Sequence, residues 1–190
     1  MIDLLPGYWQ LEQQVDVEQL SQALAQQFTV EAHGSESARI IVLDDYDWDV
    51  WQADSLLTVT SQKKYRLYRG DQLVTEQSHK RAVKFWWDFP EGRLREQLHK
   101  LIDLRALLPV AVFSTERHDF VLRNSDAKIV ARLTLHSYTP DVDAGIGSAA
   151  DWDCSPGKFV VLYPLRGYHK AFRQAVDQLA PLASEQFEVL

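Results

Sequence analysis

Lys128, Arg132, Thr134 and His136 are groups able to handle an anion or a proton. Read as a strand, Lys128 to Tyr138 puts Ile129, Ala131, Leu133 and Leu135 on one face and those four on the other, because side chains alternate along a strand. Lysine and arginine neutralise anions, and arginine grips two oxygens at once. A histidine titrating near neutrality can serve as a general base. Arg117, shortly upstream, adds a further cation. A plain surface strand carries the same alternation, and a histidine beside Tyr138 is more often a surface or capping residue. Lys64, Arg66 and Tyr68 share a face of another short strand, which a solvated outer face accounts for more readily than a binding role.

Two acidic runs, Asp44-Asp45-Asp47-Asp49 and Asp141-Asp143, invite a calcium reading. The spacing Asp45-x-Asp47-x-Asp49 resembles the start of a calcium loop but lacks its glycine and its terminal glutamate. Trp86 and Trp87, with Phe85 beside them, could form a stacking platform; core and rim packing is the reading adopted here. Cys154 is the one cysteine. It excludes an intramolecular disulfide, fits a reducing compartment, and has no basic neighbour that would make it a nucleophile. The sequence holds no phosphate-cradling glycine loop, no serine elbow and no His-x-x-x-His zinc spacing.

The elements that must position these groups are mostly strands. Tyr8 to Val15 alternates, with Gln10, Glu12 and Gln14 on one side. Asp16 caps a helix over about 17–27, with Gln19 as its capping-box partner. Phe28 to Ala32 and Arg39 to Leu43 read as two strands separated by Gly34-Ser35. Asp44 to Asp54 suggests a short helical turn, followed by a strand over Leu56 to Ser61. Tyr65 to Arg69 and Leu73 to Gln77 flank Gly70-Asp71, a hairpin signal. Val83 to Trp87 reads as a strand, and Gly92 to Leu107 as an amphipathic helix ended by Pro109. Val110 to Glu116 and Asp119 to Arg123 read as strands joined around Arg117-His118. Lys128 to Tyr138, a loop over Pro140 to Gly157, a strand over Lys158 to Tyr163 and a helix over Tyr168 to Leu179 complete the chain. Strands joined by hairpins with few helices predict an α+β fold, an antiparallel β-barrel with flanking helices. The chain is read as a single domain over residues 1–190.

The bulk numbers agree with that class. A hydrophobic fraction of 46% and a charged fraction of 25% are those of a globular domain. The net charge of −7 argues against a nucleic-acid polymer as partner, though not against a local basic channel. Residues Met1 to Tyr8 carry no basic segment of the signal-peptide kind, and no apolar run approaches the ~20 residues a membrane span needs. A cytoplasmic protein with no membrane contact is expected.

Several segments together resemble the CYTH, or triphosphate-tunnel, family. Val42-Leu43-Asp44-Asp45-Tyr46-Asp47-Trp48 is similar to that family's tyrosine-phenylalanine-aspartate-threonine stretch, and Val50 to Leu57 to the turn and strand after it. Leu104-Arg105-Ala106-Leu107-Leu108-Pro109-Val110, leading to Ser114-Thr115-Glu116-Arg117, also looks like the family. The resemblance implies a closed tunnel of antiparallel strands that hydrolyses triphosphates or cyclises ATP with magnesium or manganese. Inward lysines and arginines would hold the phosphates, and carboxylates would hold the metal.

The motifs themselves depart from the pattern. The family's Glu-x-Glu-x-Lys strand falls on Gln10, Glu12 and Gln14. Its Leu-Arg-x-Arg strand falls on Leu57-Thr58-Val59-Thr60. Its closing Glu-x-Glu falls on Phe159-Val160-Val161-Leu162-Tyr163, which has no acid. What the resemblance leaves is Glu12 as catalytic metal ligand with Asp44 as helper, binding Mg2+ or Mn2+, and Arg66, Arg117, Lys128 and Arg132 as phosphate contacts. The implied function is binding of a triphosphate, polyphosphate or nucleotide with at most weak metal-dependent hydrolysis. The alternative is a catalytically inactive interaction module. Family members are often joined to a helical CHAD domain, and Pro164-Leu165-Arg166-Gly167-Tyr168 resembles the approach to such a junction, so a separate protein partner is the other candidate.

Overall fold

The computed structural model describes residues 6–70, 72–141 and 156–187. Asp71, Asp143 and Cys154, named above, lie outside the described residues. In chain order the elements are β1 (Gly7–Leu11), α1 (Val17–Ala25), β2 (Thr29–Asp44), α2 (Asp49–Gln52), β3 (Ser55–Thr60), β4 (Lys64–Arg69), β5 (Gln72–Ser78), α3 (Arg93–Leu101), β6 (Leu108–Arg123), β7 (Ile129–Pro140), β8 (Gly157–Pro164), α4 (His169–Leu179) and β9 (Ala183–Phe187). The strands form a nine-stranded sheet in the order β5-β4-β3-β2-β6-β7-β8-β1-β9. The α+β class is as the sequence predicts. The expected closed barrel is not confirmed: among the described residues the sheet does not close, and β5 and β9 are its terminal strands.

Two compact units divide the chain. Met1–Ser37, Thr115–Thr139 and Ser155–Leu190 make the first. Its core is one apolar sheet face covered by two helices: Trp9, Leu11, Phe120, Leu122, Leu133, Leu135, Val160 and Leu162 pack with Leu20 and Leu24 of α1 and Phe172, Ala175 and Leu179 of α4. Asp16 accepts the Gln19 amide at 2.8 Å while the Gln19 side chain accepts the Asp16 amide at 3.1 Å, so α1 starts on the predicted capping box. Strand β9 was not foreseen; it pairs antiparallel with β1.

Ala38–Ser114 and Pro140–Cys154 make the second unit. Its core joins Leu43, Leu57, Val59, Tyr65 and Leu67 of the sheet to Leu94 and Leu98 of α3, with Phe89, Ile102 and Leu107. Tyr65 meets Phe89 edge-on, with centroids 4.9 Å apart. Helix α3 ends at Leu101, short of the predicted Leu107. Beyond it the backbone is claimed by other partners: the Trp86 indole donates to the Asp103 carbonyl at 2.9 Å, and the Leu107 amide donates to the Lys84 carbonyl at 2.7 Å. The predicted strand over Val83 to Trp87 is a 3-10 turn at Trp86–Asp88. Asp88 takes the amides of Lys84 and Phe85, which a sheet would otherwise use.

Two predicted strand pairs are single long strands. Gly34 keeps out of the left-handed region that a turn would have needed, and β2 runs through it. Strand β6 likewise runs through Arg117-His118.

Candidate functional site

In the first unit the register of β1, β7 and β8 decides which side chains share the face opposite the core. Arg132 lies opposite Tyr163, Thr134 opposite Val161 and His136 opposite Phe159. Tyr8 and Gln10 continue the latter two rows across β1. Because directly paired residues point the same way, this face carries Arg132, Thr134, His136, Phe159, Tyr163, Tyr8 and Gln10.

Strand β6 adds Arg117 and Asp119 to the same face. Arg117 donates from Nε to Asp119 Oδ1 at 3.0 Å and pairs through Nη2 with Oδ2 at 2.9 Å, a bidentate grip. Thr134 Oγ1 donates to Asp119 Oδ1 at 2.7 Å. Asp119 therefore fixes the arginine and the threonine together. The guanidinium is about half exposed, leaving donors for a further anion. The His136 ring stacks on Phe159, with centroids 4.6 Å apart and planes 11° from parallel. Burial, helped by the charge of Arg117 and opposed by Asp119, holds the His136 pKa below the ordinary 6.5. The imidazole is thus poised neutral beside a cation. Burial likewise raises the Tyr163 phenol, keeping it a neutral hydrogen-bond donor.

The other predicted site residues are placed differently. Strand β1 ends at Leu11, so Gln10 alone of Gln10, Glu12 and Gln14 is on a strand. Glu12 sits exposed in the turn beyond, where its carboxylate accepts from the Gln14 side chain. Lys128 belongs to the β6–β7 hairpin turn. Asn124 Oδ1 accepts the amides of Asp126 at 3.1 Å and Lys128 at 3.0 Å, and the lysine is exposed. Val130 and Ala131 are both buried, so the alternation that put Lys128 on the face of Arg132 starts only after the turn. Arg132 is exposed and forms no ion pair among the described residues.

In the second unit Arg66 and Lys64 both pair with Glu76, at 2.7 Å each, across the β4–β5 ladder. The Glu76 hydrogen bond raises the Arg66 pKa, and the two cations, Lys64 first, lower that of Glu76. Asp44 is 3% exposed. Its Oδ1 accepts the amides of Asp45 at 2.8 Å and Val50 at 3.0 Å, and its Oδ2 that of Trp51 at 3.0 Å. Burial raises its pKa against the pull of those amides. Asp45 Oδ1 accepts the amides of Asp47 and Asp49, and Asp47 pairs with Arg105. The acidic run is thus a turn that starts α2 (Asp49–Gln52), with Asp44 and Asp45 turned to backbone amides and Asp47 to Arg105.

A magnesium or manganese ion of the implied kind would need hard oxygen donors that converge. Both Asp44 oxygens are engaged by amides, and Glu12 stands in an exposed turn. No group of three or more His, Cys, Asp or Glu side chains that could hold a metal occurs among the described residues. The described residues do not fit that ion.

Sequence reading missed Asp119, Phe159 and Tyr163. The signal for Asp119 was its two-residue spacing from Arg117, which a turn placed at Arg117-His118 concealed.

Among solved structures, the crystal structure of a candidate adenylate cyclase from Bacillus halodurans matches with a TM-score of 0.51 at 14% identity, covering 100% of this chain and 94% of that one. The PH1819 protein of Pyrococcus horikoshii matches with a TM-score of 0.47 at 13% identity, covering 98% of this chain and 92% of that one. No family model matches the chain, and no curated protein does so by sequence. No helix among the described residues is long and apolar enough to cross a membrane. The Bacillus likeness shows the fold: an antiparallel sheet with helices, shared along the whole chain.

Proposed function

We propose that this chain is a divergent domain of the CYTH kind that binds a phosphate-rich anion, such as triphosphate, polyphosphate or a nucleotide, on the polar sheet face of its first unit. The observation that carries the reading is the Arg117–Asp119–Thr134 array beside His136 and Arg132. A guanidinium oriented by a bidentate carboxylate is ready to receive phosphate oxygens without ordering a flexible side chain. Arg132 adds a second charge, and His136 a group able to gain a proton when an anion arrives. Arg66 belongs to the second unit and Lys128 stands in a turn, so neither is given a role on this face. The metal-assisted hydrolysis implied by the resemblance finds no fitting donor set among the described residues, and the reading is of binding without turnover.

The test is calorimetric titration of tripolyphosphate into the protein, with and without magnesium, next to a phosphate-release assay. Metal-independent binding without release is expected. Arg117→Ala with Arg132→Ala should weaken it roughly tenfold or more, since charged hydrogen bonds contribute about 1.5–3 kcal/mol each. No binding in either condition would remove the anion reading. It would favour the second one, an inactive module for a separate protein partner.

A further inference from the structure

The second unit holds a basic and aromatic surface that no role above uses. His79, Lys80 and Arg81 line a surface cavity of about 580 Å³ together with Ser78, Ala82 and Asp88. Lys80, Arg81 and Lys84 are exposed and form no ion pair among the described residues. Asp88 is the one carboxylate on the lining. Its Oδ2 is occupied by the amides of Lys84 at 3.0 Å and Phe85 at 2.9 Å, which lowers its pKa and spends its acceptor strength on the backbone.

The three aromatic residues between the lining residues Ala82 and Asp88 in sequence, Phe85, Trp86 and Trp87, do different things. Trp86 is anchored: it packs against the core of this unit, donates its indole N–H to Asp103, and lies 4.2 Å from the His99 ring. Phe85 and Trp87 belong to neither buried cluster nor to the partly buried residues packed on them. They stack on each other, with centroids 4.5 Å apart and planes 6° from parallel; Trp87 also meets Trp86 edge-on at 5.3 Å, and the Lys84 ammonium lies 5.6 Å from the Phe85 centroid. Core packing, the reading adopted from the sequence, therefore accounts for Trp86 and not for its two neighbours. Large rings kept partly in water beside unpaired cations suit a ligand with a flat π face and phosphate oxygens.

We propose that this surface is a second ligand site that takes a nucleotide unit, free or within a single strand, with the base against the Phe85–Trp87 pair and the phosphate on Lys80 and Arg81. The net charge of the chain, −7, disfavours long polyanions over the molecule as a whole. The cation cluster is local, and a short ligand feels mainly charges within a Debye length.

The experiment is fluorescence anisotropy of a labelled short oligothymidylate with the full chain, competed in turn by ATP and by tripolyphosphate. The expected result is binding that ATP or the oligonucleotide contests better than tripolyphosphate does. Phe85→Ala with Trp87→Ala should weaken it about tenfold, the scale of base stacking on aromatic side chains. Lys80→Gln with Arg81→Gln, both exposed and so safe for folding, should weaken it and flatten its dependence on salt. Arg117→Ala with Arg132→Ala should leave it unchanged, which separates this site from the one on the first unit. Competition by ATP alone points to free nucleotides, and retention of the oligonucleotide against ATP points to single strands. Absence of binding, or binding that tripolyphosphate contests equally and that survives loss of both rings, would overturn the proposal.

Discussion

Asp119 organises the candidate site more than any cation does. One carboxylate receives two bonds from Arg117 and one from Thr134, so the group that faces an incoming anion is held by a residue that would repel it. Arg117 was read as part of a turn, whereas Arg132, Thr134 and His136 were legible from the sequence, because period-two alternation marks a polar strand face. Their arrangement was not, since a hydrogen bond between strands depends on a register that alternation does not supply. His136 gives this scale its prediction. Its folded pKa lies below the ordinary 6.5, chiefly through burial. The unfolded chain then binds the proton more readily. The histidine's contribution to stability is complete above 6.5 and is lost as pH falls through the lower folded value. Urea unfolding across that window should show wild type losing stability relative to His136→Gln on acidification, whereas parallel curves would refute it. An anion bound beside His136 favours the imidazolium, so tripolyphosphate affinity should rise on acidification in wild type more than in that variant.

Strand length is where the elements depart furthest from expectation. A glycine followed by serine in a polar stretch signals a turn, yet β2 passes through Gly34, and β6 through Arg117-His118. Glycine permits turns without requiring them, and ladder partners on neighbouring strands decide the outcome, a force that acts through residues far away in sequence. The short helices were better marked, because capping is local: Asp16 and Gln19 sit three residues apart and satisfy each other. Gly34 makes the strand testable. It has no neighbour within 4 Å of the position a Cβ would take, and its φ is not positive. In a strand, Gly34→Ala should stabilise the protein by about 0.5–1 kcal/mol, since alanine gives up less backbone freedom on folding. In a left-handed turn the same change would cost stability. The shift in thermal midpoint therefore reports which conformation the residue holds.

Across the whole molecule, the strand order carries information that no local pattern contains. Strand β1 lies between β8 and β9, so the first strand of the chain is completed only by its last two. The class could be read from the number of strand-like runs and hairpin signals. The placement of β1 could not, and β9 went unseen because Ala183–Phe187 has no pairing partner nearby in sequence to suggest it. Long-range pairing of this kind must wait for loop closure before it is rewarded, which makes folding slow relative to helical domains. It also leaves β1 dependent on β9. Ending the chain at Leu182 would strip the hydrogen bonds from one side of β1 and turn it into a sheet edge, a surface prone to pair with other copies. At about 1 kcal/mol for each lost backbone bond, the truncated protein should lose on the order of a few kcal/mol in chemical denaturation and show higher-mass species by size-exclusion chromatography with light scattering. A truncated chain that stayed monomeric with an unchanged midpoint would mean that β8 and the helices hold β1 unaided. With Trp9 and Leu11 of β1 buried in the core of the first unit, the damage should reach that core, so tripolyphosphate binding should fall together with stability.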